Sequence, residues 1–240
     1  MLHSKNKLPW GLYIVSTPIG NLKDITLRAL EVLNSVDVIA CEDTRHTGIL
    51  LAHYGIKNKL ISYHEYNKLT QTKKIIELLK NKKNVALVSD AGTPGISDPG
   101  YYLIRAAINE NLPVIPIPGP SAIITALVIS GLPSDRFTFE GFLSKRRGRK
   151  LKKLKSLQDE SRTMVFYDSP YRVLDTLKDM LEIFGDRKIV LARELTKKFE
   201  TVLRGYISEI IKELETQPIR GEVVLVVSGK EENLQDESSK

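Results

Sequence analysis

With 240 residues and 42% hydrophobic side chains, the chain can bury a sizeable core as one large domain or two smaller ones. Its 36 basic and 29 acidic residues leave a net charge of +7 and a pI near 9.3, which favours an anionic partner such as nucleic acid. The single cysteine, Cys41, excludes an internal disulfide framework and fits a reducing cytosol. No apolar run approaches the roughly 20 residues that span a bilayer, and polar Met1–Pro9 lacks a signal-peptide core.

Apolar runs and helical periods alternate through the first half. Strands are expected at Gly11–Ser16, Val36–Cys41, Lys59–His64, Val85–Ser89 and Val114–Ile117. Helices are expected over Thr26–Asn34, Arg45–Tyr54, Thr70–Lys80 and Gly100–Asn109, with Asn21 and Asp24 as turn and cap candidates. This alternation predicts a largely parallel sheet covered on both faces. Cys41 ends an apolar strand and reads as a buried, inert thiol. Ile117-Pro118-Gly119-Pro120-Ser121 is the candidate domain boundary, followed by a small, apolar helix over Ser121–Ser130 that is expected to be buried between layers.

The second half predicts strands at Phe137–Phe142, Thr163–Tyr167, Lys188–Arg193, Thr201–Tyr206 and Glu222–Ser228, and helices over Arg147–Gln158, Tyr171–Phe184 and Ile207–Glu215. The short connection between Arg193 and Thr201 implies an antiparallel pair in a mixed sheet. The expected organisation is an N-terminal extension at 1–10, an α/β domain at 11–117, a second α/β domain at 118–229 and a disordered tail at 230–240.

Four segments carry candidate chemistry. Val85–Val88 runs into a loop with Ser89, Asp90, Ala91, Gly92, Thr93, Ser97 and Asp98, at the strand end where open α/β sheets bind ligands. The loop is also compatible with an ordinary strand-to-helix connection. Thr17-Pro18-Ile19-Gly20-Asn21 follows the first strand but is neither Gly-x-Gly-x-x-Gly nor a Walker loop, so a phosphate cradle is unsupported. Glu42, Asp43 and Arg45 close the second strand, where they can orient a substrate or move a proton; Asp43 or Thr44 serving only as a helix cap is the alternative. From Lys145 to Lys155 eight of eleven residues are basic, including Lys145, Arg146, Arg147, Arg149 and Lys150. That density suits phosphate contacts from a mobile loop and first helical turn, with a solvated helix face as the alternative. Aromatic interleaving is sparse, which favours structured RNA over single-strand stacking. His3, His46, His53 and His64 form no metal-ligand spacing, so no metal is expected.

Taken in order, Ser16–Leu22, Cys41–Arg45, Val88–Gly100, Pro118–Ala122, Phe139–Phe142, Arg193–Lys197 and Gly221–Glu222 resemble the tetrapyrrole methylase superfamily. Within it they look like the branch of bacterial 16S rRNA (cytidine-2′-O)-methyltransferases. The resemblance implies two α/β domains with S-adenosylmethionine in the cleft between them. Pro18, Ser89, Asp90, Ala91, Gly92, Thr93, Ser97, Asp98, Ser121, Ala122 and Tyr167 would then contact the cofactor. It implies 2′-O-methylation of a decoding-centre cytidine in the small ribosomal subunit, a cytoplasmic location and a homodimer. Glu42, Asp43, Arg45, Glu194 and Lys197 are the candidates for a general base or for orienting roles, and the residues alone do not choose among them. A superfamily methylase acting on a tetrapyrrole or protein side chain, and a non-catalytic ribosome-assembly module, are the alternatives.

Overall fold

The computed structural model describes residues 8–230, so residues 1–7 of the expected extension and residues 231–240 of the expected tail lie outside the described residues. The first half runs β1 Leu12–Val15, α1 Leu27–Ser35, β2 Val38–Cys41, α2 Thr44–His53, β3 Leu60–Ser62, α3 Lys68–Lys80, β4 Val85–Leu87, α4 Gly100–Asn109 and β5 Val114–Ile117. The second runs α5 Ala122–Ser130, β6 Phe137–Phe142, α6 Arg147–Ser156, β7 Thr163–Asp168, α7 Val173–Phe184, β8 Lys188–Arg193, β9 Thr201–Tyr206, α8 Ile207–Thr216 and β10 Val223–Val227. Two compact units divide between Ser121 and Ala122, where the sequence places a boundary at 117/118.

In the first unit the strands are all parallel, in the order β3-β2-β4-β1-β5. Residue alternation along each strand decides what it buries. Tyr13, Val15, Ile39, Cys41, Ala86 and Val88 pack with α1 and α2, whereas Leu12, Val38, Ala40, Val85 and Leu87 pack with α3 and α4. Both faces are therefore covered, as the near-continuous apolar runs require. Asn21, one of the two turn and cap candidates, caps a short 3₁₀ turn at Leu22–Asp24, and the Thr26 hydroxyl, not Asp24, caps α1 by accepting from the Ala29 N–H at 3.1 Å. Cys41 is fully buried, and burial pushes its thiol pKa up, which keeps it inert.

Neighbouring strands β1 and β4 send their connections in opposite directions, β1 towards β2 and β4 towards β5. That is a topological switch point, and the loops leaving these two strands flank the crevice where open α/β sheets hold ligands.

The second unit is a mixed sheet in the order β6-β7-β10-β8-β9, with only β6 and β7 parallel and β8–β9 forming the expected antiparallel pair. α6, α7 and α8 cover one face through Leu154, Leu177, Met180, Ile210 and Leu214. α5 packs on β10. It is not buried on all sides as expected: Ile123, Ala126 and Leu127 turn inward, but Ile124 is 48% and Val128 67% exposed. An apolar helix covers a sheet with one stripe only, and its composition alone does not show that.

Candidate functional site

The carboxyl edge of the first sheet is knit by short bonds between loops. Thr17 and Gly92 form an isolated antiparallel bridge, with N–H···O distances of 2.9 and 3.0 Å, and the Thr17 hydroxyl donates to the Ser89 carbonyl at 3.0 Å. Ser16 and Thr93 share a hydroxyl–hydroxyl bond at 2.9 Å, and Thr93 Oγ1 donates onward to the Pro120 carbonyl at 3.3 Å. Gly119 allows this approach, since a Cβ there would lie 2.9 Å from Ser16 Cβ. The loops after β1, β4 and β5 thus form one braced rim that includes buried Pro18 and Ser89, half-buried Ser121, and Gly92 at φ 78°. Ala91 and Ser97 are exposed on it.

Asp98 latches the loop. Both its oxygens accept from the Gly95 N–H at 2.9 Å, and Oδ1 accepts from Gly100 N–H at 2.7 Å. Burial nonetheless pushes its carboxyl pKa up against those bonds. Asp90 accepts from the Asp43 N–H at 3.1 Å and so joins the β4 loop to the end of β2.

The three candidates after β2 separate by their partners. Asp43 is the cap of α2, accepting from the Arg45 N–H at 2.8 Å, while Thr44 is the first helical residue. The Arg45 guanidinium also pairs with Asp43 at 2.8 Å and holds its carboxyl well below the usual range. Glu42 differs: its carboxylate makes no hydrogen bond or ion pair among the described residues. Burial pushes its pKa up, the Asp90 and Asp98 charges add to this, and His64 opposes it. In the sequence, His64 is weighed only as a metal ligand. It follows β3, its Nε2 lies 3.3 Å from the Asn67 amide nitrogen, and its Nδ1 is buried without a hydrogen-bond partner among the described residues.

In the second unit, Phe142, Tyr167, Asp168, Glu194 and Glu222 gather at one end of the sheet. This follows from the register, in which Phe142 opposes Tyr167 and Val223 opposes both Asp168 and Arg193. Glu194 sits at φ 51° and Thr196 at φ 67°, backbone strain that persists only where surrounding bonds dictate it. Those bonds are present: Glu194 Oε1 accepts from Lys197 Nζ at 3.0 Å and from the Glu222 N–H at 2.9 Å, while Lys197 also reaches Glu222 Oε2 at 2.8 Å. The Glu194 pKa is lowered, first by its bond to the Glu222 backbone and then by Lys197. Burial pulls the Lys197 pKa down, but the Glu222 and Glu194 carboxylates outweigh it and the net shift is upward. That shift favours the charged form of Lys197.

Gly221 stands at φ 91°, and a Cβ there would run into the Glu194 carboxylate. Gly221→Ala is expected to lower stability by about 1–3 kcal/mol, read as a lower urea midpoint at unchanged m-value. An unchanged midpoint would mean that Glu194 moves aside without cost.

From Arg147 the basic run is the helix α6, with Leu154 fully buried and Leu151 packed on the same core, while Lys145 and Arg146 stand in the connection before it. Three of its cations are taken. Lys150 is only 8% exposed and lies 2.6 Å from Asp179, which removes it from the candidate RNA surface. Arg147 reaches Asp179 and Glu182 at 3.0 and 3.5 Å, and Lys153 pairs with Glu140 at 2.6 Å. Lys145, Arg146, Arg149, Lys152 and Lys155 are exposed and make no ion pair among the described residues. Arg149, Lys152 and Lys155 recur at steps of three, so they share one helix face.

The family model for tetrapyrrole (corrin/porphyrin) methylases matches residues 11–211. A Haemophilus influenzae protein named ribosomal RNA small subunit methyltransferase I is 51% identical over 222 residues, covering 91% of this chain and 78% of its own. A Thermotoga maritima protein of the same name is 50% identical over 220 residues, covering 92% of this chain and 99% of its own. The crystal structure of a uroporphyrin-III-C-methyltransferase from Thermus thermophilus superposes with a TM-score of 0.64 at 22% identity, covering 90% of this chain and 93% of that one. This likeness establishes the fold.

Proposed function

The chain belongs to the tetrapyrrole methylase family, and from that premise we propose that it methylates the ribose 2′-oxygen of a decoding-centre cytidine in 16S rRNA of the small ribosomal subunit. The methyl donor is S-adenosylmethionine, which when bound supplies a methyl carbon on a positively charged sulfur, poised for in-line displacement. The residues present fit it. The rim of the first sheet offers hydroxyls, loop backbone and the Asp90 carboxylate, with no phosphate cradle. A ligand with ribose hydroxyls, cationic groups and no phosphate matches that set.

In this reading Glu42 is the general base. It is the catalytic candidate whose carboxylate is neither bonded nor paired among the described residues, and a raised pKa brings it nearer to neutral pH, where a base works best. It would take the 2′-hydroxyl proton as that oxygen displaces the neutral thioether from the methyl carbon, and would then pass the proton to solvent. Asp43 holds the turn beside it by capping α2. Glu194 and Lys197 are positioning residues that fix the strained turn after β8. Pro18, Ser89 to Thr93, Ser97, Ser121, Ala122 and Tyr167 are proposed as cofactor contacts, and Asp98 as the residue that shapes their loop. The homodimer implied by the resemblance belongs to the same proposal. The exposed Ile124 and Val128 of α5 are consistent with it, and sedimentation equilibrium tests it.

The observation that carries the RNA reading is the row of unpaired cations on α6, which a small tetrapyrrole acceptor does not require. The names of the relatives support it. The test is methyl transfer from labelled S-adenosylmethionine to assembled small subunits lacking the modification, with the product mapped by alkali resistance of the ribose linkage. One resistant site at the decoding centre is expected. Cofactor binding without transfer to subunits would point to a different acceptor.

A further inference from the structure

β6 reads Phe137-Thr138-Phe139-Glu140-Gly141-Phe142. In a regular strand Phe139 and Phe142, three positions apart, point to opposite faces. β6 is not regular. Its register against β7 shifts between Phe139 and Gly141, and Gly141 takes φ 63°, so Glu140 is an extra residue in a β-bulge. The bulge returns Phe142 to the face of Phe139, and Phe139 opposes Val165 while Phe142 opposes Tyr167. Both rings then meet Tyr167, Phe139 at 4.9 Å between centroids and 70°, Phe142 at 5.3 Å and 52°. Phe139 and Tyr167 are half-buried, but Phe142 is 57% exposed.

The same bulge anchors the basic helix. Displaced Glu140, its side chain 12% exposed, pairs with Lys153 of α6. The Leu143 carbonyl, next to Phe142, accepts from Arg172 Nη1 at 3.3 Å. An exposed ring is thus seated between two anchored neighbours, a few residues before Lys145, Arg146 and Arg149. Packing does not require Phe142 to be aromatic, since most of its surface faces water. A ring set against Tyr167 by a tilted contact, with Phe139 packed on the same Tyr167 ring, presents an ordered π-face to a ligand at little entropic cost.

We propose that Phe142, braced by Tyr167 and Phe139, is the stacking surface for an unpaired base of the RNA acceptor, with Lys145, Arg146 and Arg149 contacting the flanking phosphates. This rests on the rRNA reading above. Presenting a single ribose hydroxyl for reaction favours a splayed nucleotide, and splayed bases are recognised by aromatic stacking.

The test combines transfer kinetics on small subunits with calorimetry of S-adenosylmethionine binding, for the wild type, Phe142→Ala, Phe142→Leu and Phe142→Trp. Phe142→Ala and Phe142→Leu are each expected to raise KM for subunits about tenfold or more, the size of a lost base stack. Their cofactor Kd should stay within about twofold, and Phe142→Trp should keep a near-wild-type KM. Leu retains apolar bulk without a π-face and separates stacking from packing. An unchanged KM in either variant overturns the inference, as does lost cofactor affinity at unchanged KM, which would assign the ring to the cofactor. A wild type that methylates no subunit overturns the rRNA reading and this inference together. An active wild type with an indifferent Phe142→Ala overturns the inference alone.

Discussion

Glu42→Gln is expected to slow methyl transfer by about 10²–10⁴-fold, the usual contribution of a positioned general base, while cofactor and RNA affinity stay near wild type. The amide keeps the shape of the side chain and removes its proton affinity. Two pH signatures accompany the loss. A base must be deprotonated to act, so the wild-type rate falls as pH drops through the folded-state pKa of Glu42. Burial and the Asp90 and Asp98 charges raise that pKa above the ordinary glutamate value, which moves the acid limb to higher pH. Glu42→Gln removes the limb. Stability moves the other way. A carboxyl whose folded pKa is raised binds its proton more tightly when folded, so its stabilising contribution is present below the unfolded pKa and is lost as pH rises through the folded one. At neutral pH the wild type therefore carries an ionised, partly desolvated carboxylate that the amide does not. Glu42→Gln should melt at or above the wild-type temperature at pH 7. Full activity with an unchanged pH profile would remove Glu42 from the proton transfer.

The elements were legible in the sequence because their signals are local. β5, β6, β8, β9 and α4 begin and end where the alternation of apolar residues and turn residues places them. The switch-point rim was legible for the same reason: strand ends rich in Gly, Pro, Ser and Asp lie at Ser89–Asp98 and Pro118–Ser121. What lay hidden depends on partners distant in the chain. Of Glu42, Asp43 and Arg45, adjacent in sequence, two are paired with each other and one is left without a bond; only the fold, which brings Asp90, Asp98 and His64 towards Glu42, separates them. The aromatic cluster was missed because Phe139 and Phe142 have opposite parity. Gly141 inside a strand run was the available signal, since an isolated glycine there marks a bulge. Lys150 reads as one cation among eight, and its partner Asp179 comes from another helix.

That last pair yields a double dissociation. Asp179→Asn is expected to cost about 3–5 kcal/mol, because it leaves the Lys150 ammonium buried without its carboxylate. Lys150→Met should cost less, roughly 1–3 kcal/mol, since Arg147 still reaches Asp179 and the methionine chain refills the space. Combining the two substitutions should recover much of the loss, as a buried ion pair replaced by groups of similar volume is often near neutral. RNA binding should divide the helix differently. Arg149→Ala, on the exposed face, should leave the urea midpoint within about 0.5 kcal/mol of wild type and reduce the slope of log K against log salt by about 1. Lys150→Met should leave that slope unchanged. The reverse pattern, a reduced slope for Lys150→Met and none for Arg149→Ala, would mean that α6 turns its other face to the RNA. It would require the Lys150–Asp179 pair to open on binding, and Asp179→Asn would then tighten RNA binding by freeing two cations. The slopes of these three variants, measured on one set of small subunits, decide which face of α6 meets the phosphates.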